Sequence, residues 1–290
     1  MKNTESNTRN HRKHKKTIKV IFKDNWKFLS IIFVIVIFLI GNKIDSINKN
    51  ISSDYLVDLN KPEYQKKEDN NVNYNAIITI IDGEGESTFT KVWGDLINEG
   101  YPICSNLVNN CVGQDGFMSW ETIEALNNVG IEFIFHTTSH QDYNSYSLDD
   151  VKEDIEIGTS EMKEHDLDNR FIVWRNEMRK EIYETIEDML DGGFAFSNGA
   201  NTINADKEGK IKMQYCYDAS YYSLSQLKNL INSAVENNGW LVLFTRNPQM
   251  NEEQIDIYRQ AFEYAKQHNV AVVTASEGYD LYYGNKLGNN

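Results

Sequence analysis

Ala76-Ile77-Ile78-Thr79-Ile80-Ile81 runs directly into Asp82-Gly83, and Ile131-Glu132-Phe133-Ile134-Phe135 runs directly into His136-Thr137-Thr138-Ser139-His140. Each stretch is a short apolar run, the first rich in β-branched residues, and each predicts a buried strand stopped by polar residues. Between them Thr88–Asn98 has helical spacing and ends at Gly100. Ser119 opens a second helix as its N-cap, with Glu121 in the first turn near the positive end of the helix dipole, and Gly130 closes it.

The same alternation continues outward. Ser147–His165 predicts a long acidic helix capped by Ser147, Phe171–Trp174 a strand, Lys180–Leu190 a helix and Phe194–Phe196 a short strand. Lys210–Gln214 predicts a strand, Ser223–Asn237 a helix ending at Gly239, Trp240–Phe244 a strand, Asn251–His268 a helix and Val270–Val273 a last strand. Strands alternating with helices imply parallel β–α units. About seven such units in roughly 215 residues suit a barrel or an open doubly wound sheet, and both gather their chemistry at the carboxyl ends of the strands.

Asp82, His136 and His140 all stand at predicted strand ends. Of the six histidines, His11 and His14 lie in a basic arm, and His165 and His268 lie near helix ends, where the carbonyl-rich terminus welcomes them. His136 and His140 remain, four apart after a buried strand, where one turn or a tight loop aims both rings at one point. With a carboxylate from a neighbouring strand they make a two-His, one-carboxylate set suited to a catalytic divalent ion such as Zn²⁺. Such an ion acidifies its water and polarises a carbonyl, which is hydrolytic chemistry. Taken singly, a His-x-x-x-His pair is more often an ordinary packed or surface pair, and Asp-Gly is a turn signal.

Ile78-Thr79-Ile80-Ile81-Asp82-Gly83 resembles the first motif, T-F-D-D-G, of the polysaccharide deacetylases (the NodB-homology, carbohydrate esterase family 4 group), and His136-Thr137-Thr138-Ser139-His140 matches their second, H-[ST]-x-x-H. The helix and Gly130-Ile131-Glu132 before the histidines, and Asn238–Phe244 followed by a long helix and Val270–Thr274, look like the family too, so the resemblance runs from about Asn75 to Leu281. It implies an irregular (β/α) barrel over residues 76–285 that removes N- or O-acetyl groups from cell-wall or surface glycans. By motif the metal ligands are Asp82, His136 and His140.

The chain also departs from the family. The family's general base, the first Asp of T-F-D-D-G, falls on Ile81, which takes no proton. The histidine that protonates the leaving group is replaced at Phe244-Thr245-Arg246 by Arg246, which stabilises an oxyanion but gives up no proton near neutral pH. The third motif, R-x-P-[YF]-G, is absent where Phe171–Arg175 reads Phe-Ile-Val-Trp-Arg. Losing base and acid costs each about 10²–10⁴-fold. Glu84 and Glu86 lie two and four residues beyond Asp82, and Glu84 is the candidate displaced base. Tyr215 and Asp218 are weaker candidates. Without proton-transfer groups the alternative is an inactive carbohydrate-binding or scaffolding descendant. Tyr217, Tyr221, Tyr222, Trp174 and Trp240 are candidates for stacking on sugar rings, with core packing the better reading of Trp240.

Before this body lies a segment of opposite charge. Of 29 basic residues ten fall in the first 43 positions against Glu5 and Asp24, which leaves 19 basic and 41 acidic residues in the remainder; the whole 290-residue chain carries −14. Phe28–Ile40 is apolar apart from Ser30. Extended to Ile44 it reaches 17 residues, about the low end for a spanning helix. Trp26 and Lys27 fit an interfacial boundary, and the Lys/Arg excess puts residues 1–27 inside and the body outside. No small-x-small cleavage site follows, so an uncleaved anchor over residues 28–44 is favoured over a signal peptide. The basic arm then also contacts anionic membrane lipid. Residues 45–75, rich in Asn, Asp, Lys and Ser, predict a linker. The acidic balance argues against nucleic-acid binding. Three cysteines exclude a disulfide scaffold; Cys104 and Cys111, in a predicted loop, are compatible with one bridge or with free thiols.

Overall fold

The computed structural model describes residues 57–58, 73–174, 178–196, 212–284 and 286–288. Eight parallel strands are described: β1 (Ala76–Asp82), β2 (Cys104–Leu107), β3 (Phe133–Phe135), β4 (Phe171–Trp174), β5 (Gly192–Phe196), β6 (Lys212–Asp218), β7 (Trp240–Thr245) and β8 (Val270–Val272). Seven α-helices alternate with them: α1 (Phe89–Asn98), α2 (Trp120–Asn127), α3 (Leu148–Glu164), α4 (Lys180–Ile186), α5 (Leu224–Glu236), α6 (Glu252–Gln267) and α7 (Ala275–Tyr282).

Strands β2 to β7 follow one another in order, β7 pairs with β1 along its length, and β1 closes onto β2 through Ile81↔Cys104 and Asp82↔Ser105. The result is a seven-stranded parallel α/β barrel. The lower half of β1, Ala76–Ile78, pairs instead with β8, so one strand serves two neighbours on the same edge and the barrel is irregular.

Alternation along the strands makes two cores. Ile77, Ile81, Cys104, Ile134, Phe171, Val173, Phe194, Cys216, Trp240, Val242 and Phe244 fill the barrel, whereas Ile78, Ile80, Leu107, Phe135, Ile172, Leu241 and Leu243 face the helices. Helix α7 seals the floor. Val273, Ala275 and Tyr282 join the inner core, and Gly278 is required there because a Cβ would stand 2.6 Å from the Trp240 indole. Trp240 is thus core, and its Nε1 donates to Thr79 Oγ1 at 2.9 Å.

The expected caps Ser119 and Ser147 each accept a first-turn N–H, and the structure adds Ser223 and Asn251 as caps of the same kind. Two expectations are corrected and one element is new. The segment around Cys104 is strand β2 rather than a loop, and Cys104, Cys111 and Cys216 are free thiols. The Lys180 helix ends at Ile186. The chain after β8 forms α7, capped by Thr274 with Glu277 closing a capping box.

The predicted anchor over 28–44 lies outside the described residues, and among the described residues no helix is long and apolar enough to cross a membrane. Of the predicted linker, Val57 is 2% exposed within the outer core and the Asp58 N–H donates to Asn98 Oδ1.

Candidate metal centre

At the mouth of the barrel Glu84, His136 and His140 each bring one ligand atom within 4.8 Å of the others. His136 continues β3, and its N–H donates to the Leu107 carbonyl at 2.8 Å. Its Nδ1 lies 2.6 Å from the Val173 carbonyl. A carbonyl only accepts, so Nδ1 carries the proton and Nε2 keeps its lone pair for a cation; a ring held this way is typical of metal-bound imidazoles. His140 Nε2 stands 3.3 Å from Glu84 Oε1, and the two imidazoles meet edge to face with centroids 4.9 Å apart. One carboxylate and two imidazoles, half-exposed at the rim apart from buried His136, fit a divalent ion of the zinc type.

Both segments that carry the candidate ligands have unusual backbone. Glu84, Thr137 and His140 have φ of 63°, 64° and 58°. Left-handed non-glycine residues cost about 1–3 kcal/mol each and persist only where neighbours over-determine them. At Glu84 the neighbour is Asn106 of β2, whose Oδ1 accepts the Glu84 N–H. Asn106 is fully buried on the inward side of its strand, and its Nδ2 has no partner among the described residues. Gly85 follows at φ 71°, where a Cβ would stand 2.7 Å from Leu107. Sequence reasoning missed Asn106, because a polar residue in the middle of Cys104-Ser105-Asn106-Leu107 hid the strand.

Asp82 is placed differently. It shares the outward side of β1 with Ile78 and Ile80, and it is fully buried. Thr245 Oγ1 donates to its Oδ1 at 2.6 Å and Asn247 Nδ2 to its Oδ2 at 2.7 Å. The same Asn247 amide reaches Glu86 Oε2 at 3.2 Å. Burial raises the Asp82 carboxyl to about 7 against the lowering effect of these hydrogen bonds. Glu86 is raised to about 8, first by burial and then by the charge of Asp82. Ile81, where the family motif carries an acid, points into the inner apolar core.

Arg246, on the inward side above Phe244, pairs through Nη1 with Asp218 Oδ2 and lies 5.3 Å from the Phe244 ring centroid. Ser220 accepts the Arg246 N–H at 3.0 Å and donates to Asp218 Oδ1 at 3.2 Å. Asp218 is the last residue of β6, and Tyr215 and Tyr217 lie within that strand against the outer core. Tyr221 is 73% exposed just beyond β6, whereas Trp174 is buried. The structure therefore gathers Glu84, His136 and His140 at one point, sets Asp82 behind the strand, and holds Arg246 on the rim.

No protein-family model matches the chain, and no curated protein matches it. Solved structures do. A protein from Mycobacterium smegmatis assigned as a polysaccharide deacetylase superposes with a TM-score of 0.56 at 11% identity, covering 74% of this chain and 92% of that one. A second, from Pseudomonas aeruginosa PAO1, has a TM-score of 0.53 at 11% identity over 71% and 91%. The allantoinase Puue has a TM-score of 0.54 at 9% identity, again over 71% and 91%. The chain has the fold of the carbohydrate esterase family 4 polysaccharide deacetylases, and that fold also carries an allantoinase.

Proposed function

We propose that this protein is a metal-dependent hydrolase that removes N- or O-acetyl groups from cell-wall or surface glycans, tethered by residues 28–44 with the barrel on the outer side of the membrane. The convergence of Glu84, His136 and His140 at the carboxyl end of the strands carries the reading. A divalent ion bound there, Zn²⁺ by donor type, would polarise the acetyl carbonyl and acidify a water. The chain's own residues hold the ion and face the charge on the reacting oxygen. Val173 fixes the His136 ring with Nε2 toward the centre. Glu84, expected from the sequence as a displaced base, takes the carboxylate ligand's place in this reading, and Asp82 does not. Arg246, steadied by Asp218, faces negative charge on the reacting carbonyl oxygen and cannot act as an acid.

A second reading, a glycan-binding protein that keeps the metal and performs no hydrolysis, is favoured by Ile81, whose alkyl side chain occupies the inward position where the family motif carries its base. Acetate release from an acetylated amino-sugar oligomer separates the two. The full chain, loaded with Zn²⁺ or Co²⁺, is expected to release acetate above background, and His136→Ala to fall to background. Equal background rates for both proteins, with metal bound by the wild type, would establish the binder.

A further inference from the structure

The loop that carries both histidines has an anchor of its own, and it comes from a helix that contributes no ligand. Asp154 sits on α3 with 9% exposure. Three donors converge on its carboxylate. The Thr138 N–H donates to Oδ2 at 3.2 Å, the Thr138 hydroxyl donates to Oδ1, and the Tyr143 hydroxyl donates to Oδ2 at 2.7 Å. Thr138 is the centre of His136-Thr137-Thr138-Ser139-His140, and it follows directly on the left-handed Thr137. Burial and the Asp154 charge both raise the Tyr143 hydroxyl pKa, so that group stays a donor.

Helix α3 is brought close enough by Gly158, one turn further along the same face. A Cβ there would stand 2.2 Å from the Phe135 ring, so the helix can lie on β3 only because the residue is glycine. The Gly158 carbonyl is tied down by Asn109 Nδ2 at 2.9 Å. The loop is held from its other side as well, where the Asn110 N–H donates to the Thr138 carbonyl at 2.8 Å. Thr138 is therefore gripped at N–H, hydroxyl and carbonyl, and the His136 and His140 backbones hang from the two ends of the gripped segment.

We propose that Asp154 is a positioning residue for the metal centre: its carboxylate holds Thr138 so that the strained loop presents His136 and His140 to one cation. The inference rests on the metal reading of Glu84, His136 and His140 and deepens it. A carboxylate that served only to finish the fold would stabilise the protein without setting the geometry of the two imidazoles.

Titration of the metal-free full chain with Co²⁺, followed by its d–d absorption, distinguishes these roles. Asp154→Asn removes one of the two acceptor oxygens and is expected to weaken Co²⁺ binding about 10–100-fold, the usual worth of residues that orient metal ligands, and to change the visible spectrum of what still binds. Thr138→Val, which keeps the backbone N–H and deletes only the hydroxyl, is expected to weaken binding several-fold and decides the question if Asp154→Asn does not fold. A variant that melts at lower temperature while binding Co²⁺ within twofold of wild type, with the same spectrum, overturns the inference. A wild-type protein that binds no Co²⁺ overturns the metal centre itself and this inference with it.

Discussion

Asp82-Gly83-Glu84 offers two carboxylates to one pair of histidines, and side-chain direction decides between them. Ile81 points into the barrel, so Asp82 must point out, where Thr245 and Asn247 satisfy both of its oxygens. Glu84 escapes the alternation because the chain has left the strand and turned through a positive φ, with its N–H held by Asn106. The histidine pair was legible in the sequence because both its members sit together after an apolar run. The sequence pointed to Asp82 as the carboxylate; that Glu84 is the one brought to the histidines was not legible, because the turn at Glu84 depends on Asn106, a residue 22 positions away. Glu84→Gln is expected to weaken Co²⁺ affinity by more than the roughly 10–100-fold that supporting residues are worth, and Asp82→Asn to leave it within about threefold. Isothermal titration of both variants checks this. The opposite ranking would move the ligand role to Asp82.

At the scale of elements, most of the barrel was written in local signals. Serine or asparagine caps preceded α2, α3, α5 and α6, and glycine followed α1 and α2 within a few residues. The two elements that escaped have the weakest local pattern. Strand β2 is four residues with two polar side chains, and α7 carries a mid-helix glycine that exists for the Trp240 ring above it. Helix α7 is joined to β3 through Glu132, whose Oε2 accepts the Ser276 N–H at 2.9 Å and whose Oε1 accepts the Ser276 hydroxyl at 2.7 Å. Burial raises the Glu132 carboxyl above its ordinary range, against the lowering effect of those two bonds. A carboxyl raised in the folded state stabilises fully below its unfolded value, near 4.5 here, and that contribution is lost as pH rises through the folded value. Glu132→Gln keeps an oxygen for Ser276 and removes the charge. Denaturant unfolding from pH 4 to 8 is expected to show a shallower loss of stability with rising pH in the variant than in wild type. Identical slopes would place the titration elsewhere.

At the scale of the whole molecule, the alternation of strands and helices predicted parallel units but left closure open. Closure rests on a two-residue pairing, Ile81↔Cys104 and Asp82↔Ser105, between strands with no pattern in common. That pairing brings Asn106 beside the turn after β1, so the candidate metal centre depends on the barrel being shut. The distribution of charge makes a separate claim. Nine cations precede Phe28 against two acidic residues, while the chain after residue 43 carries 19 basic and 41 acidic residues. An apolar run beside so many cations is poorly suited to a protein interior and well suited to a bilayer, with the cationic end retained inside. Under the proposed topology the acidic body lies outside, where a glycan substrate would be met and where like charge would keep it off an anionic bilayer within a Debye length of roughly 8–10 Å. Fractionation of cells expressing the full chain is expected to place the intact 33.6 kDa protein in the carbonate-resistant membrane fraction. Protease added to intact cells is expected to digest the body and spare an epitope fused before residue 1. A shortened soluble product would show that the apolar run is a cleaved signal, and an intact soluble chain that it is no anchor; either result would remove the tether while leaving the chemistry at Glu84, His136 and His140 to be judged on its own.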